Sequence, residues 1–407
     1  MTNKILILFT LNYPFGVGEE FIENEIKEAS NNFSKIIIIP NTKSNKIRSI
    51  PANAEVITWD KLKDDSKKYS FIEFLNLFYK ELSLHKTERF ARVKSIKVSW
   101  NYYKEQFDKA IAIKNLLKKL TNNIHSILLY DFWATNNALA ITLAKESYPS
   151  INYIACTHNF DLYDFRWQCP IPFRGLSIQK IDKIFPDSKY GIEYLKLKLP
   201  KSLHNKIELA YMGTPDFGLS PIPKDNKITI LSTSTCIPHK RVDWIIESIS
   251  NLKDTEFQWI HFGDGPILEE LKEKAEKLLP MESFEFKGWV DFDELIDFYK
   301  KTPIDIFVHM STAEGLPVSL MIASSFGVPI VAVDSMGVKE LINTTTGQLL
   351  PSNCTIGDAT KAIENIIETK SKSKELRVKA KDFCMKNFSI ENYKKFYTKK
   401  LNLKKTN

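Results

Sequence analysis

Short apolar runs alternate with stretches of helical periodicity from one end of this 407-residue chain to the other. No other feature constrains the fold as much, because strands separated by helices must cross over and pair in parallel. In the first half, 4–10 and 35–40 read as strands around a helix at about 19–31, with 55–58 as a further strand. Two helix-rich stretches follow, 69–84 and 102–120. Strands at 127–130 and 153–157 then flank a helix at 136–146, and strands at 183–186 and 207–211 close the half. The segment 213–227 carries three prolines and two glycines and reads as an interdomain linker. A second alternation begins at 228, with strands at 228–232, 258–262, 283–287, 304–309 and 330–333. A chain of this length holds two separate cores. The expected class is therefore α/β, with domains at 1–212 and 228–385 and a helical ending.

Composition excludes several classes. The N-terminal MTNKILILFT lacks the cleavage pattern of a leader and reads as a first strand. The most apolar longer window, 126–144, contains Asp131, Asn136 and Asn137, which makes it a poor membrane span. Five scattered cysteines without a CxxC pair suggest neither zinc nor a disulfide framework, so a reducing cytoplasm is the expected location. Charge is uneven. Residues 1–200 hold 29 Lys and Arg against 21 Asp and Glu, and 351–407 hold 14 against 6, while 201–350 are acidic. A basic first half suits peripheral docking on anionic lipid, at the inner face of a cell membrane, or an anionic acceptor; a solvated lysine-rich surface is the plainer alternative. No arginine cluster or nucleic-acid motif accompanies the lysines, so nucleic acid is not an expected partner.

The stretch Ser311 to Ile330, STAEGLPVSLMIASSFGVPI, carries the strongest chemical signal. A strand feeds a loop with Glu314, Gly315, Leu316 and Pro317, and a helix opens near Val318. A carboxylate and unpaired backbone N–H groups thus sit at a helix mouth, at the strand edge where open α/β sheets bind ligands and where phosphate is attracted. Lys240 stands at the matching edge after the strand 228–232, where an ammonium can neutralise a departing diphosphate. No Lys or Arg lies near Glu314 in sequence to pair with it, which favours a ligand role; its carboxylate should then face the groove and not its own domain. HFGDGP, 261–266, reads as a tight βα turn with Gly263 and Gly265 serving backbone shape. Asp291 and Asp293 superficially form a DxD metal motif but read better as helix caps. In the first half, Gly16 and Gly18 lie in a loop between strand and helix that permits close ligand approach. His158 and Asp161 follow the strand 153–157 at its C-terminal edge.

Taken together, these motifs resemble the retaining GT-B glycosyltransferases of the glycogen synthase-like type, family 4, whose donor-site text is close to SxxEGxPxxxxEAxxxGxPV. The match is most specific from 232 to 350. It implies two Rossmann-like domains facing a cleft, with the C-terminal helix, about 386–407, crossing back to the first domain. It further implies that Glu314 and His158 hold the transferred sugar, with Asp161 placing His158 or the acceptor. Lys240 would meet the diphosphate, Trp289 and Val290 would lie against the base, and Gly263, Gly315, Leu316, Pro317 and Val318 would line the donor. Gly16 and Gly18 resemble the family's glycine-rich loop.

Three positions depart from that pattern. Ser234 stands where the family carries an arginine, Met336 replaces a glycine, and Ile322 replaces a second glutamate that grips the ribose. Losing one charge-assisted bond weakens binding by roughly ten- to a hundredfold. The resemblance implies sugar transfer from a nucleoside-diphosphate sugar to a glycan or lipid-linked hydroxyl, with no metal and no other cofactor, in assembly of cell-surface polysaccharide, capsule or lipopolysaccharide. The rivals are a non-catalytic partner subunit of the same fold and a nucleotide-sugar 2-epimerase.

Overall fold

The computed structural model describes residues 4–16, 18–45, 47–62, 69–84, 93–167, 170–224, 226–369 and 371–401. It divides into two compact units, Met1–Tyr211 with Tyr393–Asn407, and Met212–Asn392. The first contains β1 (Ile5–Thr10), β2 (Lys35–Pro40), β3 (Ala54–Val56), β4 (Ile127–Asp131), β5 (Asn152–Thr157) and β6 (Lys183–Pro186). The second contains β7 (Ile228–Thr233), β8 (Phe257–Phe262), β9 (Phe284–Gly288), β10 (Ile306–His309), β11 (Ile330–Val333) and β12 (Gly347–Leu350). Every pairing in both sheets is parallel. Central strands such as β1, ILILFT, are buried along their whole length, because helices cover both faces of a parallel sheet.

The strand orders are β3-β2-β1-β4-β5-β6 and β12-β11-β10-β7-β8-β9. Each chain segment winds outward from the sheet's centre, returns, and winds out the other way. The reversal falls between β1 and β4 in one unit and between β7 and β10 in the other. In open α/β sheets this reversal point, beyond the C-terminal ends of the strands, is where ligands bind.

The helices of the first unit are α1 (Ile22–Ser30), α2 (Phe71–Leu84), α3 (Val93–Lys119), α4 (Ala138–Lys145), α5 (Arg174–Lys180) and α6 (Lys189–Lys198). Those of the second are α7 (Val242–Ser250), α8 (Leu268–Leu278), α9 (Phe292–Lys301), α10 (Val318–Ser325), α11 (Ile356–Thr369) and α12 (Lys374–Phe388). A last short helix, α13 (Glu391–Lys395), spans the boundary, and Phe396, Tyr397 and Leu401 beyond it join the first unit's core. Tyr397 donates its hydroxyl to Glu25 Oε1 at 2.9 Å, and Tyr130 donates to the same oxygen at 2.8 Å. Burial pushes the Glu25 carboxyl up to about 7, against the opposing pull of these two donors.

Several boundaries differ from expectation. The segment 213–227 is packed into the second unit: Phe217 stacks on Phe326 at 5.4 Å, and the Ser220 hydroxyl accepts from Arg377 at 2.7 Å. Its prolines and glycines mark turns, which is compatible with tight packing. Residues 386–392 also belong to the second unit, so the return begins at Tyr393. The 207–211 run makes one isolated bridge, Ile207 with Ile184, and is not a named strand. The short β12 carries too little pattern to be seen in sequence.

Candidate active site

In the second unit, β7 ends in a loop whose last turn, Pro238–Lys240, presents Lys240. The neighbouring β10 ends at His309 and leads to Glu314. The strand order brings these loops together although they lie 74 residues apart. Lys240 Nζ donates to Glu314 Oε1 at 2.5 Å. His309 Nε2 lies 3.1 Å from the same oxygen, without the alignment of a hydrogen bond. Ser311 Oγ, Thr312 Oγ1 and the Thr312 N–H all donate to the His239 carbonyl, which fixes one loop to the other. Burial raises the Glu314 carboxyl, but the Lys240 ammonium and His309 outweigh it and hold the group well below the usual carboxylate range. The expectation that Glu314 has no basic partner and opens toward the groove is therefore overturned. Its side chain is 6% exposed and is paired inside its own unit.

Pro317 caps α10, and Gly315 and Leu316 are buried beside it. Val318 and Ser319 are partly exposed in the first turn, where helical N–H groups have no intrahelical acceptor. A carboxylate, an ammonium and a helix N-terminus thus converge at the sheet's reversal point, an arrangement suited to a diphosphate. Ile322 is buried in the same helix, 4% exposed.

Behind the Lys240 loop runs a buried polar chain that sequence inspection missed. Trp259 Nε1 donates to Ser232 Oγ at 2.9 Å, so the Ser232 hydroxyl proton is left for His261 Nδ1 at 2.8 Å. Nε2 of His261 then carries the ring proton and donates to the Ser234 carbonyl at 3.2 Å. Burial lowers His261 to about 4, so the ring stays neutral and the chain keeps one direction. The signal was available: a lone histidine inside the apolar strand FQWIHF. Gly263 belongs to this support. Its φ is 147°, a Cβ would stand 1.8 Å from the Ser234 carbonyl oxygen, and its N–H is spent on the Gly288 carbonyl. Gly263 therefore offers no N–H to a ligand; it lets two loops touch. Trp289 follows Gly288 and is 48% exposed, with Val290 partly exposed next to it. Arg241 turns away and lies over the Trp244 ring at 4.3 Å. Met336 takes φ 56°, the left-handed conformation a glycine would fill.

In the first unit, the loop after β1 wraps around Glu19. That carboxylate accepts from the N–H groups of Leu11 (3.1 Å), Asn12 (2.6 Å) and Tyr13 (2.5 Å), and from the Trp133 indole N–H. Arg48 braces the same loop through Glu20 (2.6 Å), Glu23 (2.7 Å) and the Gly16 carbonyl. Gly16 donates to Ser44 Oγ and Gly18 to Glu20 Oε1. Both glycines have positive φ, and nothing stands within 4 Å of where a Cβ would be.

His158 stacks on Phe132 at 4.7 Å and meets the Trp133 edge at 4.7 Å. Burial lowers its pKa to about 3, so the ring is neutral, and its Nδ1 has no hydrogen-bond partner among the described residues. Asp161 accepts the N–H groups of His158 (2.9 Å), Asn159 (3.1 Å) and Ala134 (3.2 Å). It shapes the turn and holds the backbone of His158, not its ring. Burial pushes Asp161 up to about 7 against those donors.

Solved structures share the architecture along nearly the whole chain. The lipopolysaccharide outer core galactosyltransferase WaaB in its apo form covers 97% of this chain and 98% of its own, at TM-score 0.65 and 16% identity. Anabaena Alr3699/HepE in complex with UDP and glucose covers 98% and 99%, at TM-score 0.66 and 14% identity. The fold is GT-B, the architecture of one large class of glycosyltransferases. Residues 220–383, in the second unit, match the family model of glycosyl transferases group 1. An uncharacterized glycosyltransferase of Methanocaldococcus jannaschii is 28% identical over 275 residues, 64% of this chain. The chain spans 62% of the length of that relative.

Proposed function

We propose that this chain is a group 1 glycosyltransferase that moves a sugar from a nucleoside-diphosphate sugar to a hydroxyl acceptor, with retention of anomeric configuration. The observation that carries this reading is Lys240, 19% exposed, beside the N-terminus of α10 at the reversal point of the second sheet; the pairing of Glu314 with it removes the argument from an unpaired carboxylate. Lys240 and the α10 N–H groups would neutralise the diphosphate as it departs. Glu314 would accept hydroxyl donors of the sugar, and the departing phosphate oxygen would take the acceptor proton on the same face. In the first unit, His158 is neutral and its Nδ1 has no hydrogen-bond partner among the described residues, which supports a polar contact there to a ligand of that unit. We assign no metal or other cofactor: Asp291 and Asp293 stand at the N-cap and first turn of α9.

The proposed acceptor is a glycan or lipid-linked hydroxyl in cell-surface polysaccharide, capsule or lipopolysaccharide assembly. WaaB, with the same fold, is named for such a substrate, and HepE was solved with UDP and glucose. Among the described residues no helix is long and apolar enough to cross a membrane. The basic first half suits peripheral docking on anionic lipid at the cytoplasmic face.

A second reading, a non-catalytic subunit, is favoured by one observation: apolar Ile322 lies buried where the family glutamate would grip the ribose. A thermal-shift panel with UDP, GDP, ADP and CMP separates the two. The enzyme reading expects stabilisation by one nucleoside diphosphate, weakened about ten- to a hundredfold in affinity by Lys240→Ala. No shift with any nucleotide favours the subunit. Slow hydrolysis of a donor sugar without acceptor would then name the sugar.

A further inference from the structure

Resting on the donor-site reading above, we infer that the Lys240–Glu314 ion pair is an interlock that makes the site select for an intact donor over its nucleoside-diphosphate product. The two groups proposed to meet diphosphate and sugar are each other's partner when the site is empty. Nζ and Oε1 stand 2.5 Å apart, a contact that uses one of the three ammonium N–H donors; the interlock is the case in which an incoming phosphate draws Lys240 off the carboxylate instead of sharing it. Lys240 can make that move, being 19% exposed on a flexible stem, whereas Glu314, at 6%, stays behind. A buried carboxylate stripped of its cation is costly unless something replaces the lost partner.

An intact donor brings the replacement, since its sugar hydroxyls can donate to Glu314 while its phosphates hold Lys240. The product carries phosphates only. In the interlock it takes Lys240 and leaves Glu314, among the described residues, with His309, 3.1 Å away and unaligned. The carboxylate therefore competes with the product for Lys240. Once the sugar has been transferred, closure of the ion pair helps expel the nucleotide. Selectivity for donor and release of product follow from the same contact.

The test measures UDP, GDP and ADP affinity by calorimetry for the whole chain and three variants: Glu314→Gln, Lys240→Met and the double variant. Thermal unfolding confirms that each folds. Glu314→Gln keeps the shape but removes the competing charge. The interlock requires it to bind the nucleoside diphosphate about tenfold more tightly than wild type. It also requires that this gain vanish in the Lys240→Met background. Unchanged or weaker binding by Glu314→Gln, in a wild type that does bind nucleotide, overturns the interlock and leaves the transferase reading standing. A tighter Glu314→Gln whose gain survives Lys240→Met also overturns it, because the benefit would then be general loss of negative charge. A wild-type chain that binds none of the three overturns both.

Discussion

The two units solve the same topological problem with a carboxylate at the reversal point, yet the carboxylates do opposite things. Glu19 lies after β1 and Glu314 after β10, each reaching across to the other central strand's loop. Glu19 is held by three backbone N–H groups and an indole, donors fixed in place by the chain. Glu314 is held by an ammonium on a four-carbon stem, 19% exposed, which the proposed function has a ligand recruit. Fixed backbone donors make a structural clasp; a mobile cation makes an exchangeable site. The glycines repeat the contrast. Gly263 is pressed against the opposite loop, while Gly16 and Gly18 border open space.

The largest expected effect is at Gly263. An alanine there meets a carbonyl oxygen at 1.8 Å, and Gly263→Ala should lower the unfolding free energy by more than about 4 kcal/mol in denaturant titration. A tolerated alanine would mean the two loops are not in contact. Glu19→Ala strands four donors and should cost about 3 kcal/mol, whereas Glu314→Gln, which keeps an acceptor and leaves a lysine that reaches solvent, should cost less. Equal costs would erase the distinction between clasp and exchangeable site.

A pH measurement sharpens the comparison. The folded pKa of Glu25, about 7, lies above its ordinary 4.5, so the native chain binds that proton more tightly than the unfolded one. The associated stability is fully present below pH 4.5 and is lost as pH rises to 7. Wild type should accordingly lose on the order of 3 kcal/mol relative to Glu25→Gln across that window. A flat difference would show that the Tyr130 and Tyr397 hydroxyls suffice to keep the group ionised. The smallest effect is at Gly16, where Gly16→Ala meets no atom and should cost only about 1 kcal/mol of left-handed strain.

Much of the fold was legible in sequence because parallel strands are apolar throughout and their helices are periodic. Most named elements fall within a few residues of expectation; the linker failed because proline and glycine report local turns and say nothing of packing. Sequence singled out Lys240 and Glu314 in the second unit, and His158 and Asp161 in the first, as candidates at strand ends. It did not find His261, His309, Glu19 or Arg48. Each of these takes its meaning from a partner: His261 from Ser232 and Ser234, His309 from Glu314, Glu19 from Trp133, and Arg48 from two glutamates. Asp161, expected to place His158 or the acceptor, accepts the His158 backbone N–H together with donors from Asn159 and Ala134.

The amino-acid sequence by itself determined two parallel α/β cores and a set of polar residues at the ends of their strands, because side-chain periodicity and turn chemistry act over a few residues. Which of those residues meet was decided by strand order. That order carries Lys240 to Glu314 across 74 residues and Glu19 to Trp133 across 114. Local patterns hold no record of such pairings, because they arise only when sheets bury their faces and the central strands become neighbours.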